Sequence, residues 1–372
     1  MRRTAAALCA LILLMCMPAL ADGAQREELQ YAQQFTIDHL EGGCTLLTIA
    51  GSDRFLVVPE GCAAPEGCAA PDGLDEDTVV LAQPLDDIYL VATSAMDLIR
   101  ALDCVDKIRL SGTQESGWYI AEAAQAMQRG DMLYAGKYNA PDFELILDEG
   151  CRLAIESTMI YHSPDVMEQL EALGIPVMVE RSSYETHPLG RMEWIKFYGA
   201  LLGREEQARQ IFDAQLAALD GVLGNEGAGK TVAFFYINSR GLVNVRKPGD
   251  YIARIIELAG GKYALSDALA GEENALSTMN MQMEDFYAAA QDADYIIYNS
   301  AIDGTIDSLE QLLQKSELLA DFRAVQTGNV YCTEQNLFQE SMGLGGLILD
   351  INRMLTADDA PHADYAYLYH VD

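Results

Sequence analysis

The stretch Gly224-Asn225-Glu226-Gly227-Ala228-Gly229-Lys230-Thr231 fits G-x-x-x-x-G-K-[ST], the spacing with which a glycine-rich loop offers backbone N–H groups to a phosphate. Such a loop must leave a strand and open a helix whose N-terminus faces the anion. Ser157 or Ser183 with His162 or His187 has the residue types of a nucleophile and its general base, but no G-x-S-x-G elbow accompanies them. Direct metal capture needs about four ligands, usually histidines with carboxylates. The histidines are His39, His162, His187, His362 and His370, and no His-rich loop gathers them. Cys62 and Cys68 form a C-x5-C pair with no third ligand nearby. Each set also has a plain structural reading: helix stops and turns, loop hydroxyls, buried thiols.

The elements around these residues decide between the readings. The chain has 372 residues, half of them hydrophobic, which is enough for two or three domains with their own cores. A net charge of −33 argues against nucleic acid, whose partners carry basic patches, and suits a solvated, monomeric protein. Residues 1–21 read as a secretory leader. Arg2 and Arg3 precede the apolar run Ala5 to Met17, Pro18 breaks it, and Ala19-Leu20-Ala21 is a small-x-small cleavage site. Cys16 follows Met15, where a lipobox places a small residue, so export without an anchor is expected and lipidation at Cys16 is the alternative. No second apolar run is long enough to span a bilayer. Six cysteines remain after the leader, thinly spread, and are expected to be mostly free or buried thiols.

Residues 22–77 form an N-terminal extension. In it CTLLTIAGSDRFLVVP reads as a hairpin, and PEGCAAPEGCAAPDG is a tandem six-residue repeat whose prolines and glycines make a turn-rich loop. From residue 78 strands and helices alternate, the pattern of a parallel sheet covered on both faces. One α/β unit covers 78–188, with DTVVLAQP as its first strand. A helical stretch covers 189–223, a second α/β unit covers 229–356, and 357–372 is a tail strand with Tyr365, Tyr367 and Tyr369 on one side. GNEGAGKT therefore follows a helix and precedes the strand TVAFFYI, the reverse of a phosphate-binding loop. Its glycines read as a helix stop and turn.

Two Rossmann-like α/β lobes joined by a helical connector, in an exported chain, resemble the substrate-binding proteins of ABC importers that handle iron–siderophore, haem and cobalamin-type ligands. PLDDIYLVATSAMDLIRALDCVDKIRLSG resembles that family's opening strand–helix–strand. GKYNAPDFELILDEGCRLAI resembles its G-x4-P-x2-E helix and following strand; LGIPVMVE, GALLGREEQARQIF, IIELAGG and MQMEDFYAAAQDADYIIYNS follow in family order. The likeness spans about residues 80–355 and leaves the N-terminal hairpin, the repeat and the tyrosine tail outside it. It implies a binding protein with no catalysis and no cofactor, delivering its ligand to a membrane permease. It also implies that Glu144, in PDFELIL, and Glu284, in MQMEDFY, dock on that permease. As residues alone, both are also ordinary helix-start carboxylates.

In such a fold the ligand lies between the lobes, at the carboxyl ends of the strands. That singles out Thr93, Ser94, Lys137, Tyr138, Ser157, Thr158, Arg181, Tyr184 and Arg191 on the first side. Ser182 and Ser183 belong to the same first-side group; Tyr236, Asn238, Arg240, Arg246 and Asn299 are the counterparts on the second, with Tyr251 close by. Arginines bind planar oxyanions through paired hydrogen bonds, and tyrosines add flat faces and orienting hydroxyls. The expected ligand is an anionic, partly aromatic chelate, a ferric siderophore first. Haem, a corrinoid or bare zinc or manganese are the alternatives.

Overall fold

The computed structural model describes residues 24–61, 74, 77–224, 229–271, 278–357 and 360–372. The expected leader, most of the PEGCAA repeat and residues 225–228 of GNEGAGKT lie outside the described residues.

The N-terminal extension is a five-stranded sheet: β1 (Gln25–Arg26), β2 (Phe35–His39), β3 (Thr45–Ile49), β4 (Asp53–Val58) and β5 (Val79–Ala82), in that order. β3 and β4 form the expected hairpin around Ala50 and Gly51, both at positive φ. DTVVLAQP corrects the sequence reading. It does not open the first lobe but closes this sheet, with β5 parallel to β4. Parallel pairing needs a long crossover, and the repeat-bearing segment between β4 and β5 supplies the length.

The first lobe runs β6 (Ile88–Leu90), α1 (Thr93–Ala101), β7 (Ile108–Ser111), α2 (Ala121–Arg129), β8 (Leu133–Tyr134), the hairpin β9 (Gly136–Lys137) and β10 (Ala140–Pro141), α3 (Phe143–Asp148), β11 (Leu153–Ser157), α4 (Pro164–Ala172) and β12 (Val177–Glu180). Its sheet has the order β12-β11-β6-β7-β8 and is parallel throughout. The connector is α5 (Pro188–Leu202) and α6 (Glu205–Ala218). Pro188 at its first turn and Gly203 past its end bound α5. Of its 15 residues all but Arg191 are buried, because it packs against α1, α6 and the N-terminal sheet at once. Phe35 of that sheet meets Trp194 with ring centroids 4.8 Å apart and Phe197 at 5.5 Å.

The second lobe contains β13 (Thr231–Ile237), β14 (Val243–Arg246), α7 (Tyr251–Leu258), β15 (Lys262–Tyr263), β16 (Thr278–Met281), α8 (Met283–Ala290), β17 (Tyr295–Tyr298), α9 (Ser300–Asp303), α10 (Leu309–Lys315), α11 (Arg323–Gln326), β18 (Val330–Thr333), α12 (Leu344–Thr356) and β19 (Leu368–His370). β13, β17 and β18 are parallel; β14, β16 and β19 are antiparallel additions at the two sides. β14 and β16 are absent from the sequence reading, which passes from TVAFFYIN straight to the α7 helix. The tail strand is the sheet edge, as its alternation suggests, though only Leu368–His370 pair. Tyr367 instead lies on the start of α12. A Cβ on Gly346 would stand 2.6 Å from its ring, so the glycines of MGLGG make room for it.

Candidate functional site

A cleft of about 540 Å³ separates the lobes, within the range of small-molecule sites. Its first wall is rich in hydroxyls. Thr93 and Ser94 start α1, Ser157 ends β11, and Ser182 and Ser183 follow β12. The opposite wall carries Tyr236, Asn244, Arg246, Asp250, Tyr251 and Thr278. Leu337, Phe338 and Ser341, from the segment between β18 and α12, close one side together with Leu344 at the start of α12. That segment also bonds the lobes together. Ser341 Oγ donates to the Ser94 carbonyl at 2.7 Å, and the Met342 N–H to the buried Asp97 carboxylate at 2.7 Å.

The cationic centre of the cleft is built on one ring. The Arg191 guanidinium lies 3.5 Å from the Tyr251 ring centroid, and Arg246 reaches the same ring at 5.9 Å. Arg191 is held by main-chain acceptors: Nε donates to the Glu185 carbonyl at 3.0 Å and Nη2 to the Ser183 carbonyl at 2.5 Å. No described carboxylate forms an ion pair with it. Burial lowers its proton affinity, with Arg246 adding repulsion and Tyr251, Asp250 and Glu180 opposing. A guanidinium stays charged under such pressure, so the site presents a desolvated cation whose charge is left for a ligand. Arg246 pairs loosely with Asp250, at 3.5 Å, while Asp250 caps α7 by accepting the Ile252 N–H at 2.9 Å.

Glu180 is the contrasting group. Its carboxyl, buried at the end of β12, accepts from Ser94 Oγ at 3.0 Å and the Ser182 N–H at 2.7 Å. Burial nevertheless pushes its pKa up. Protonation there would reduce the negative charge acting on Arg191.

Of the residues singled out from sequence, Thr93, Ser94, Ser157, Arg191, Tyr236 and Arg246 come together in this cleft. Lys137 and Tyr138 do not reach it; they line an adjoining hollow. Arg181, Tyr184 and Thr158 form a cluster outside the main lining. Arg181 lies 5.5 Å from the Tyr184 ring and 5.9 Å from that of Tyr161, and Tyr184 donates to Thr158 Oγ1 at 3.0 Å. Asn238 and Arg240 sit in the β13–β14 turn, where Asn238 Oδ1 accepts the Arg240 N–H at 2.9 Å. β14 is the reason: the chain turns back there and delivers Arg246, not Arg240, to the cleft. Asn299 is buried at the end of β17, and the nearby exposed Ile302 faces the cleft in its place. Glu180, Asn244, Thr278 and the 337–344 segment were not singled out. Glu180 alone carried a signal, as a strand-end residue beside Arg181.

The other candidate chemistries do not assemble. His187 Nδ1 accepts the Leu189 N–H at 3.2 Å as the α5 cap, and its ring stacks on Tyr31. Among the described residues no group of three or more His, Cys, Asp or Glu side chains is placed to hold a metal ion. Cys104 and Cys332 are buried thiols. Thr231, the last residue of GNEGAGKT, starts β13 and bonds to Asp294.

Two lobes with a cleft at their strand ends, riding on a helical connector, define the fold of the periplasmic binding proteins of ABC importers. Three solved structures share it. The periplasmic haem-binding protein HutB of Vibrio cholerae is 17% identical with a TM-score of 0.58, covering 72% of this chain and 98% of that one. The TroA-like periplasmic binding protein FepB of Veillonella parvula has a TM-score of 0.55 at 13% identity, covering 78% and 96%. A protein of an ABC-type Fe3+-hydroxamate transport system from Saccharomonospora viridis has 0.54 at 18%, covering 74% and 94%. No family model matches the chain. Two uncharacterized lipoproteins of Methanocaldococcus jannaschii are 20% identical over 273 residues, 72% of this chain, and 25% identical over 205 residues, 52% of it. The chain spans 64% and 50% of the lengths of these curated relatives. Among the described residues no helix is long and apolar enough to cross a membrane.

Proposed function

We propose that this chain is the extracytoplasmic solute-binding component of an ABC importer and that it carries an anionic, oxygen-rich metal chelate, a ferric siderophore first, to a membrane permease. The observation that carries the reading is the Arg191–Tyr251–Arg246 stack in the interlobe cleft, where the partly buried Arg191 donates, among the described residues, to carbonyls alone. Hydroxyls on the facing wall supply further hydrogen bonds to ligand oxygens. The described lining holds no His, Cys or Met, and Arg191 covers the Tyr251 ring. Haem iron needs an axial protein ligand, which leaves Tyr236 and the covered Tyr251 as the tyrosines for it. A siderophore saturates its own metal and needs none. The lipoprotein name of the relatives, with the leader-like N-terminus, supports a place in the cell envelope; anchoring through Cys16 is the second reading of the location.

Native mass spectrometry of the mature protein, titrated with ferric siderophores, haem, cobalamin and free Zn²⁺, tests the reading. A one-to-one complex with a chelate supports it, and binding of Zn²⁺ alone overturns it. Arg246→Met should then lower affinity for an anionic chelate about 10- to 100-fold, the worth of one charge-assisted hydrogen bond or two. Calorimetric titration measures this, and an unchanged affinity would place the anion elsewhere. Docking is separable from binding. Glu144 and Glu284 are exposed in the first turns of α3 and α8, one on each lobe. Reversing both to Lys is expected to abolish uptake by cells and leave chelate affinity intact; reduced affinity would assign them to the ligand.

A further inference from the structure

The cleft does not end at its hydroxyl wall. Val91 and Ser157 line it on one side and, on the other, a second hollow of about 430 Å³. That hollow carries Gln114, Ser116, Tyr138 and the exposed Lys137, and among the described residues no aspartate or glutamate lines it. In a chain with 57 acidic and 24 basic residues this is a selective composition. The surface hollow near α2 takes Asp106, Glu122 and Asp131, and the one beside β12 takes Glu171. Half of the described lysines and arginines form an ion pair with a described carboxylate, as Lys107 does with Asp86 and Lys315 with Asp303. Lys137 has none among the described residues.

Both walls of the hollow are rigid. Gly136, at φ +90°, allows the tight β9–β10 hairpin; a Cβ there would stand 2.8 Å from the Pro141 Cα. The fully buried Tyr89 donates its hydroxyl to the Gly136 carbonyl at 2.8 Å. Across the hollow, Ser111 Oγ donates to the Thr113 carbonyl at 2.7 Å and accepts from Trp118 Nε1 at 3.3 Å. Lys137 is thus, among the described residues, an ammonium without a carboxylate partner, on a backbone fixed by these bonds.

Resting on the function proposed above, we infer that cleft and hollow form one bipartite site. It takes an extended chelate with two separated oxyanion groups, one at Arg191 and Arg246 and the other at Lys137. Lys137 is then a specificity residue, selecting ligands that reach past Ser157 over compact or cationic ones.

The test compares wild type with Lys137→Glu and Lys137→Gln, using ferric citrate and haem as anionic probes and ferrioxamine B as a cationic one. Lys262→Glu, at an exposed lysine outside both cavities, is the control for net charge. Lys137→Glu is expected to weaken binding of at least one anionic probe about five- to ten-fold, Lys137→Gln by about half that factor, and Lys262→Glu by less than two-fold. Ligand should also protect Lys137 from acylation, read by peptide mass mapping. Equal affinities in wild type and Lys137→Glu, with Lys137 still acylated, overturn the bipartite site and leave the function standing. Failure of wild type to bind any probe overturns the function and the inference with it. Binding of ferrioxamine B alone overturns the inference.

Discussion

Replacing Glu193 by alanine is expected to cost about 3–5 kcal/mol of folding stability, the usual price of stranding a buried charge. Glu193 is wholly buried on α5, and its carboxylate serves four donors. It accepts the backbone N–H of Gln30 at 2.9 Å, Tyr31 at 2.8 Å and Ala32 at 2.9 Å, and Lys196 Nζ at 2.9 Å. Alanine leaves three partly buried N–H groups without this acceptor. It also leaves a buried ammonium whose remaining partner, Glu27, stands 3.8 Å away. Glu185 continues the clamp by accepting from Gln33 and Gln34, each at 2.9 Å, and from Trp194 Nε1 at 3.1 Å. Two carboxylates thus tie the strand-free segment 30–34 to the connector. The Glu185 carbonyl in turn holds Arg191. Urea unfolding of Glu193→Ala should show a lowered midpoint, and hydrogen exchange should accelerate first at residues 30–34. A midpoint equal to wild type would mean that the N-terminal sheet is held by its apolar contacts alone.

That clamp shows where sequence reasoning stops. The connector was legible because α5 lies in a long run of helix formers bounded by Pro188 and Gly203. Glu193 on it and Glu185 just before it carry no local sign of burial, since nothing local says that a segment more than 150 residues away will bring its N–H groups to them. The lobes were legible from alternation, and β5 was misplaced for a physical reason. VVLA has the pattern of a strand in either sheet, and only the pairing with β4 decides. The cleft was half legible. Residues at the carboxyl ends of parallel strands, such as Ser157 and Tyr236, are fixed by topology and fell in place. Arg246 reaches the cleft through an antiparallel return, and Leu337 to Leu344 through a long connection, so strand-end logic misses the route of the first and the existence of the second.

The second large effect concerns Glu156, on the interior strand β11. By strand alternation it shares a face with Ala154, within the apolar cluster of Tyr89, Leu110, Ile146 and Leu170. It is fully buried, and among the described residues neither carboxyl oxygen has a hydrogen-bond partner. Burial pushes its pKa from an ordinary 4.5 up to about 8. The folded state therefore holds a proton that the unfolded chain has already lost, and stability falls as pH rises between those two values. The stability is fully present below pH 4.5 and lost by pH 8. At about 1.4 kcal/mol per tenfold change in proton affinity, the difference amounts to roughly 5 kcal/mol. Glu156→Gln keeps the shape and cannot ionise. Its advantage over wild type should grow from near nothing at pH 4.5 to about 5 kcal/mol above pH 8. Other buried carboxylates with raised pKa values, Glu180 and Asp97 among them, tilt both profiles alike and cancel in the difference. Parallel pH profiles for the two proteins, by denaturant unfolding from pH 4.5 to 9, would show that the carboxylate is ionised in the fold and has a counter-charge. A profile that diverges as expected would make the first lobe's core a proton-dependent structure, one that loosens beneath Ser157 and the cleft when the medium turns alkaline.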